Sequence, residues 1–189
     1  SLSSKLSGTY QSACLAKDMV DYENIYIVDT LTAAAGIRLL CEVAINWIGE
    51  NRCVEDIVSG LEELKERVHI YAGLDTLEYL AKGGRISKTA AAIGTLASIK
   101  PIICVDHGEV VVAGKTRGVN KATSVVCEKM QSDIVDTLYP VYTLYSYGLE
   151  NVEKLESKLD LDVNRVRIGS TIGVHIGPNA FGVCFVSKL

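Results

Sequence analysis

The feature that most limits the fold is the alternation of short apolar runs with amphipathic stretches in the first half of the chain. Asn24–Asp29 is a short apolar run that ends in an acid, as a buried parallel strand often does. The stretches 30–51 and 54–67 then carry apolar residues at helical spacing, and Val68–Ala72 is a second apolar run. With a further helix starting near Ser7, this order predicts an α/β layer built on a parallel sheet.

The second half of the chain carries hairpin signals instead. Two apolar runs, 102–105 and 110–113, flank the turn sequence Asp106-His107-Gly108-Glu109. Helices are predicted over 122–131 and 148–159, and strands over 139–145, 165–168 and 180–186. We therefore expect two domains: residues 1–73, an α/β domain with a parallel sheet, and residues 74–189, a smaller α+β domain with a mixed or antiparallel sheet.

Composition excludes several classes of function. The net charge of −4 gives no support for nucleic-acid binding. No apolar run reaches the roughly 18 residues that a membrane helix needs, and no secretory signal is visible. Six scattered cysteines without CxxC spacing indicate buried free thiols in a reducing cytoplasm, and they predict no metal site. Since no nucleophile or phosphate-loop motif is present either, the chain is expected to bind a molecule without a cofactor rather than to catalyse hydrolysis.

A double glycine, Gly83-Gly84, separates two helical stretches and is followed at once by Arg85. Ser87 is placed to cap the second stretch, whose first residues, 89–92, are small. A cation beside a helix N-terminus favours an anion, and small residues permit close apolar packing. The pattern predicts a site for a molecule with an acidic head and an apolar body. The alternative is an ordinary helix–helix turn with a surface arginine.

Three further groups of polar residues each allow two interpretations. The serines near the start, Ser3 and Ser4, either cap a helix or donate hydrogen bonds to an oxyanion. His175 lies in a glycine-rich stretch and is either a structural histidine or part of a site. Three basic residues form either a solvated face or a contact for a partner or a phosphate: Lys115, Arg117 and Lys121.

Four motifs, taken together and in order, resemble the DegV family of fatty-acid-binding proteins. They are SSKLSGTYQSA (3–13), LEYLAKGGRISKTAAAIGTLASIKPII (77–103), GKTRGVNKA (114–122) and HIGPNAFGVCF (175–185). The resemblance covers essentially the whole chain. It implies a long-chain fatty acid held between an α/β N-terminal domain and a smaller C-terminal domain. It also implies a role as the acyl-carrying subunit of a bacterial fatty acid kinase, whose catalytic partner phosphorylates the carboxylate for phospholipid synthesis.

The resemblance also assigns roles to individual residues. Ser3 or Ser4 would hydrogen-bond the carboxylate, with Arg85 as anion ligand and His175 as polar gate. Gly84 and Gly177 complete the ligand-binding set. The basic residues Lys115, Arg117 and Lys121 would face the kinase or its nucleotide.

The sequence departs from the family in two places. The family's first strand with an Asp-Ser motif and its Thr-rich carboxylate loop have no counterpart here, so we expect an incomplete, N-terminally truncated first domain. Ile176 also stands where the family usually has threonine. Two rival functions stay open from the residues alone: a phosphotransfer protein that uses His175 or Ser4, and a regulatory module that binds no lipid.

Overall fold

A mixed sheet of six strands forms the centre of the fold, in the order β3-β2-β1-β6-β4-β5. The computed structural model describes residues 1–86 and 98–188. Within them the strands are β1 (Val68–Gly73), β2 (Ile99–Asp106), β3 (Glu109–Arg117), β4 (Tyr142–Tyr145), β5 (Asn164–Arg167) and β6 (Phe181–Val186). Neighbouring strands are antiparallel except β4 and β5, which are parallel.

Seven α-helices lie in the same residue ranges. They are α1 (Thr9–Asp18), α2 (Ala35–Gly49), α3 (Val54–Leu64), α4 (Glu78–Lys82), α5 (Val119–Ser132), α6 (Glu150–Glu156) and α7 (Ser170–Ile176), with a 3-10 turn at Lys65–Arg67. Of the helices described, none has the length and apolar character needed to cross a membrane.

Helices cover both faces of the sheet. Successive residues of a strand point to opposite faces, so each strand contributes to the cores on both sides. Ile70 of β1 lies in a core with α2 and α3, and Ala72 lies on the same face in a core with α4 and α7. Tyr71, between them, contacts the opposite core, which α5 and α6 form with Phe185 and its neighbours. The first face therefore carries two separate groups of helices, and the space between these groups matters for function.

The α/β class is confirmed, but the predicted parallel sheet in the first part of the chain is wrong. Residues 24–29 form no strand, and the first strand, β1, pairs antiparallel with both neighbours. The backbone around the predicted strand bonds to the N-terminal segment instead: the Thr30 amide donates to the Ser1 carbonyl over 3.2 Å, and the Ser4 amide to Asp29 Oδ1 over 3.1 Å. An apolar run indicates an extended, partly buried segment, whereas strand formation needs a partner edge.

The predicted boundary between residues 73 and 74 falls between β1 and α4. The sheet runs across it, since β1 pairs with β2 on one side and β6 on the other. The glycine-rich stretch that carries His175 contains helix α7, which the sequence did not predict. The prediction for the cysteines holds in part: all six are free, but Cys41 and Cys53 are exposed, whereas Cys127 and Cys184 are buried.

Candidate functional site

A cavity of about 230 Å³ lies on the first face of the sheet, between the start of α2 and the helix pair α4 and α7. Its floor is apolar and comes from four strands: Ile70 and Ala72, Ile103 and Val105, Val110, and Leu144. Leu2, Leu6, Leu80, Ile168, Ile172 and Ile176 complete its apolar wall. Since a water molecule occupies roughly 30 Å³ in the liquid, the space holds several methylene groups.

Arg85 brings a positive charge to the wall of this cavity. It follows the turn after α4, and its guanidinium donates from Nε to the Leu6 carbonyl over 3.1 Å and from Nη1 to the Gly83 carbonyl. The arginine therefore ties the turn after α4 to the N-terminal segment while its side chain stays exposed to solvent. The sequence prediction that Ser87 caps a helix of small residues beside it lies outside the described residues.

His175 lines the same cavity from the last turn of α7. Its Nδ1 is buried and has no hydrogen-bond partner in the described part of the chain. The ring is pressed against the end of α4: a Cβ added to Gly83 would lie 2.1 Å from Nδ1. Arg85 and His175, which are far apart in sequence, are thus brought together in one cavity wall, as their predicted roles require.

The two predicted glycines at this helix pair differ, since Gly177 permits close packing and Gly84 does not. Gly177 has a φ of 76°, and a Cβ there would lie 2.4 Å from the ring of Tyr79. Gly84, with a φ of 70°, is exposed and has no atom near its missing side chain. Sequence reasoning selected Gly84 and Gly177 and missed Gly83, whose close contact with His175 depends on how α4 meets α7.

Ser3 and Ser4 do not line the cavity. Ser3 is fully buried, and its Oγ donates to the Gly108 carbonyl over 2.7 Å. The amide of Ser4 donates to Asp29. Burial alone would raise the pKa of this carboxyl group. Hydrogen bonds from Ser4 and Leu31 and the charge of Lys65 outweigh burial and lower that pKa.

In the first family motif, residues 3–13, the hydroxyl residue that lines the cavity wall is Ser7. It belongs to the motif that sequence reasoning selected, but nothing in the local pattern distinguished it from Ser3 and Ser4. Thr171 of α7 also lines the cavity and was not predicted.

The three basic residues lie away from the cavity wall. Lys115 and Arg117 are exposed on β3. Lys121 is exposed in the first turn of α5, with its Nζ 3.6 Å from Glu128 Oε1. Their side chains are available to solvent, as both sequence interpretations required.

A second polar cluster lies on the other face of the sheet. Ser187 Oγ is 3.0 Å from His69 Nε2, and His69 Nδ1 is 3.9 Å from Asp133 Oδ2. The histidine–carboxylate distance is too long for a hydrogen bond, and Asp133 instead accepts one from the Tyr71 hydroxyl at 2.7 Å. Burial lowers the pKa of His69. These residues do not line the cavity, and we interpret them as a structural network.

Among residues 1–86 and 98–188, no group of three or more His, Cys, Asp or Glu side chains is arranged to hold a metal ion.

A model of a protein family, described as uncharacterised protein, DegV family, matches residues 1–188. The chain belongs to the DegV family. A DegV domain-containing protein of Clostridium acetobutylicum is 35% identical over 190 residues, which cover 99% of this chain and 68% of that protein.

Two solved DegV structures are similar to this one. A fatty-acid-binding DegV family protein from Thermus thermophilus is 30% identical with a TM-score of 0.87, and the match covers 99% of this chain and 69% of the other. A DegV lipid-binding protein from Thermotoga maritima is 29% identical, also with a TM-score of 0.87, and the match covers 98% of this chain and 67% of the other.

Proposed function

We propose that this DegV protein binds a long-chain fatty acid, with the acyl chain in the cavity beside the sheet and the carboxylate at the end marked by Arg85 and His175. The observation that carries the proposal is the cavity itself, which is apolar along four strands and has a cation in its wall. The similar proteins from Thermus thermophilus and Thermotoga maritima, described as fatty-acid-binding and lipid-binding, support the same class of ligand.

The two parts of such a ligand would be held by different forces. Each methylene buried in the cavity contributes about 0.8 kcal/mol, so the acyl chain supplies most of the affinity. The carboxylate needs hydrogen-bond donors to offset the loss of water, and a guanidinium offers charge-assisted bonds. Arg85 is fixed at the Leu6 carbonyl, so its charge is already in place at the cavity.

The remaining predicted site residues would act around the head group. His175 would form the polar gate, with Gly177 and Gly84 setting the path of the backbone on either side of it. Ser3 and Ser4 would hold the N-terminal turn that brings Ser7 to the cavity wall.

The cavity wall draws on both parts of the predicted domain division. Leu2, Ala33 and Ile70 come from residues 1–73, and Leu80, Ile103 and Ile172 come from residues 74–189. This supports the expectation that the ligand lies between the two parts, although they share one sheet.

We further propose that the protein presents the carboxylate to a fatty acid kinase in the cytoplasm, which would phosphorylate it for phospholipid synthesis. The chain itself would carry out no chemistry. Lys115, Arg117 and Lys121 would then contact the kinase or the phosphates of its nucleotide. Their exposure and the positive charge of β3 and α5 at this point support that role.

The test is Arg85→Ala, with Lys82→Ala as the matched control. Both remove one exposed cation near the end of α4, but Lys82 pairs with Glu78 and does not line the cavity. We expect Arg85→Ala to weaken fatty-acid binding by about tenfold or more, because a hydrogen bond to a charged group contributes roughly 1.5–3 kcal/mol. Phosphoryl transfer by the kinase should fall as well, and the melting temperature should stay within a few degrees.

Lys82→Ala should change neither binding nor transfer. If Arg85→Ala bound fatty acid and supported phosphorylation as well as the unmodified protein, the assignment of Arg85 to the head group would be wrong.

A further inference from the structure

A second cavity, of about 500 Å³, lies on the other side of α7 from the candidate site. Thr171, Ile172 and His175 of this helix line the first cavity, whereas Ser170 and Gly173 line the second. The volume of the second cavity is within the roughly 300–1,000 Å³ that small-molecule sites occupy. Neither the proposed fatty acid nor the proposed kinase contact uses this space.

The second cavity lies where two parallel strands end. β4 and β5 pair in parallel; Ser146 and Tyr147 directly follow β4, and Arg167 is the last residue of β5. In open α/β sheets, ligands bind in the crevice outside the carboxyl ends of parallel strands. β4 and β5 are the one parallel pair among the described strands, so this crevice is where that rule places a ligand.

Arg167 brings to the cavity wall a cation that the fold does not use. Its residue is exposed, and within the part of the chain that the structure describes its guanidinium pairs with no carboxylate. Arg165, on the same strand, is by contrast bonded to Glu153 and Glu156 of α6. A guanidinium offers two parallel donors that match two oxygens of a phosphate, so Arg167 favours a phosphorylated ligand.

The turn after β4 adds a hydroxyl and an aromatic ring to the same wall. The Ala180 amide donates to Ser146 Oγ over 3.0 Å and so fixes this oxygen; among residues 1–86 and 98–188, the hydroxyl has no acceptor for its own hydrogen. Tyr147 is 68% exposed, so its ring is available for stacking. Aromatic side chains stack on nucleotide bases of every kind, because each base has a π-face.

Glycines keep the remainder of the wall open. Gly169 and Gly173 both line the cavity, and a Cβ added at either position would have no atom within 4 Å. The missing side chains therefore leave space that a ligand can fill, and a flat ring can approach the backbone closely there.

We propose that this crevice binds a nucleoside monophosphate, with the phosphate on Arg167 and the Ser146 hydroxyl and the base between Tyr147 and the glycines. Guanidinium, hydroxyl and aromatic ring together match the acidic and flat parts of such a molecule. The inference goes beyond fatty-acid binding and does not depend on it, since the two cavities lie on opposite sides of α7.

The test is isothermal titration of the protein with the 5′-monophosphates of adenosine, guanosine, cytidine and uridine. Arg167→Gln should weaken the tightest of these interactions by about 10- to 100-fold, the usual effect of losing a hydrogen bond to a charged group. Arg165→Gln is the matched control, because it removes the same charge from the same strand but does not line the cavity. It should bind the nucleotide within about twofold of the unmodified protein.

Two further variants test the base and the open space. Tyr147→Ala should weaken nucleotide binding by about 10- to 100-fold, whereas Tyr147→Phe, which keeps the ring, should retain most of the affinity. Gly173→Leu would place a side chain in the cavity and should abolish binding. Its melting temperature should not fall, because leucine is a good helix former and its Cβ meets no atom.

The inference is overturned if none of the four nucleotides binds to the unmodified protein. It is also overturned if Arg167→Gln binds as tightly as Arg165→Gln, because the phosphate is then held elsewhere. Uptake of hexadecanoic acid, measured in parallel, decides the proposed function separately. Lipid binding without nucleotide binding would overturn only this inference, and nucleotide binding without lipid binding would overturn only the proposed function.

Discussion

Substituting Val110 by phenylalanine should close the proposed acyl site without harming the fold. Val110 lies on β3, is half-buried, lines the cavity and pairs with Val105, which lines it too. Phenylalanine is well tolerated in strands. Its ring adds about four carbon atoms, so it should displace about as many methylenes of the ligand; at about 0.8 kcal/mol each this costs roughly 3 kcal/mol, or about 100- to 200-fold in affinity.

Val111 provides the matched control. It is the next residue on the same strand, is also half-buried and pairs with Cys104, and neither of these residues lines the cavity. Isothermal titration with a long-chain fatty acid, after removal of bound lipid, would measure both variants. Val111→Phe should bind as the unmodified protein does. Val110→Phe that is folded and binds with unchanged affinity would refute the placement of the acyl chain over β2 and β3.

Two further predictions concern stability. Gly83→Ala should destabilise the protein by about 1–3 kcal/mol in urea unfolding, because its Cβ would lie 2.1 Å from His175 Nδ1. Gly173→Ala should instead stabilise it by about 1 kcal/mol, since this position lies inside α7 with no atom within 4 Å of the added carbon; equal effects of the two would contradict the close packing of α4 on α7. Burial raises the pKa of Asp75, but its bond to Lys100 Nζ, at 2.6 Å, helps to lower it overall. The carboxylate therefore stabilises the fold above its unfolded pKa of about 4, and this stability is lost as pH falls through the lower, folded pKa. Unfolding measured as pH falls below about 4 should show a smaller loss of stability for Asp75→Asn than for the unmodified protein. Equal losses of stability would contradict this role.

Local patterns predicted most of the helices and the hairpin. The apolar spacing of residues 30–51 predicted α2, and the turn at His107-Gly108 predicted the pairing of β2 with β3. These signals succeed because helix periodicity and tight turns depend on neighbours in sequence. The strand predicted at 24–29 failed because pairing depends on a distant edge that periodicity does not reveal.

The candidate site was predictable only in part. Arg85 and His175 could be selected from their glycine-rich surroundings, and both lie in the cavity wall. Gly83 could not be selected, since its close contact with His175 appears only once α4 is placed against α7. Sequence reasoning also took Ser4 or Ser3 as a carboxylate donor. The Ser3 hydroxyl donates to the Gly108 carbonyl, and neither serine lines the cavity.

The most direct test of the central claim is the lipid content of the purified protein, measured by native mass spectrometry and by mass spectrometry of its organic extract. Protein without bound lipid would be incubated with hexadecanoic acid before the measurement. The account predicts one long-chain fatty acid per chain in the unmodified protein and in Val111→Phe, and its loss in Val110→Phe. Protein that neither carries nor takes up a fatty acid, or that retains it equally in Val110→Phe, would contradict the account.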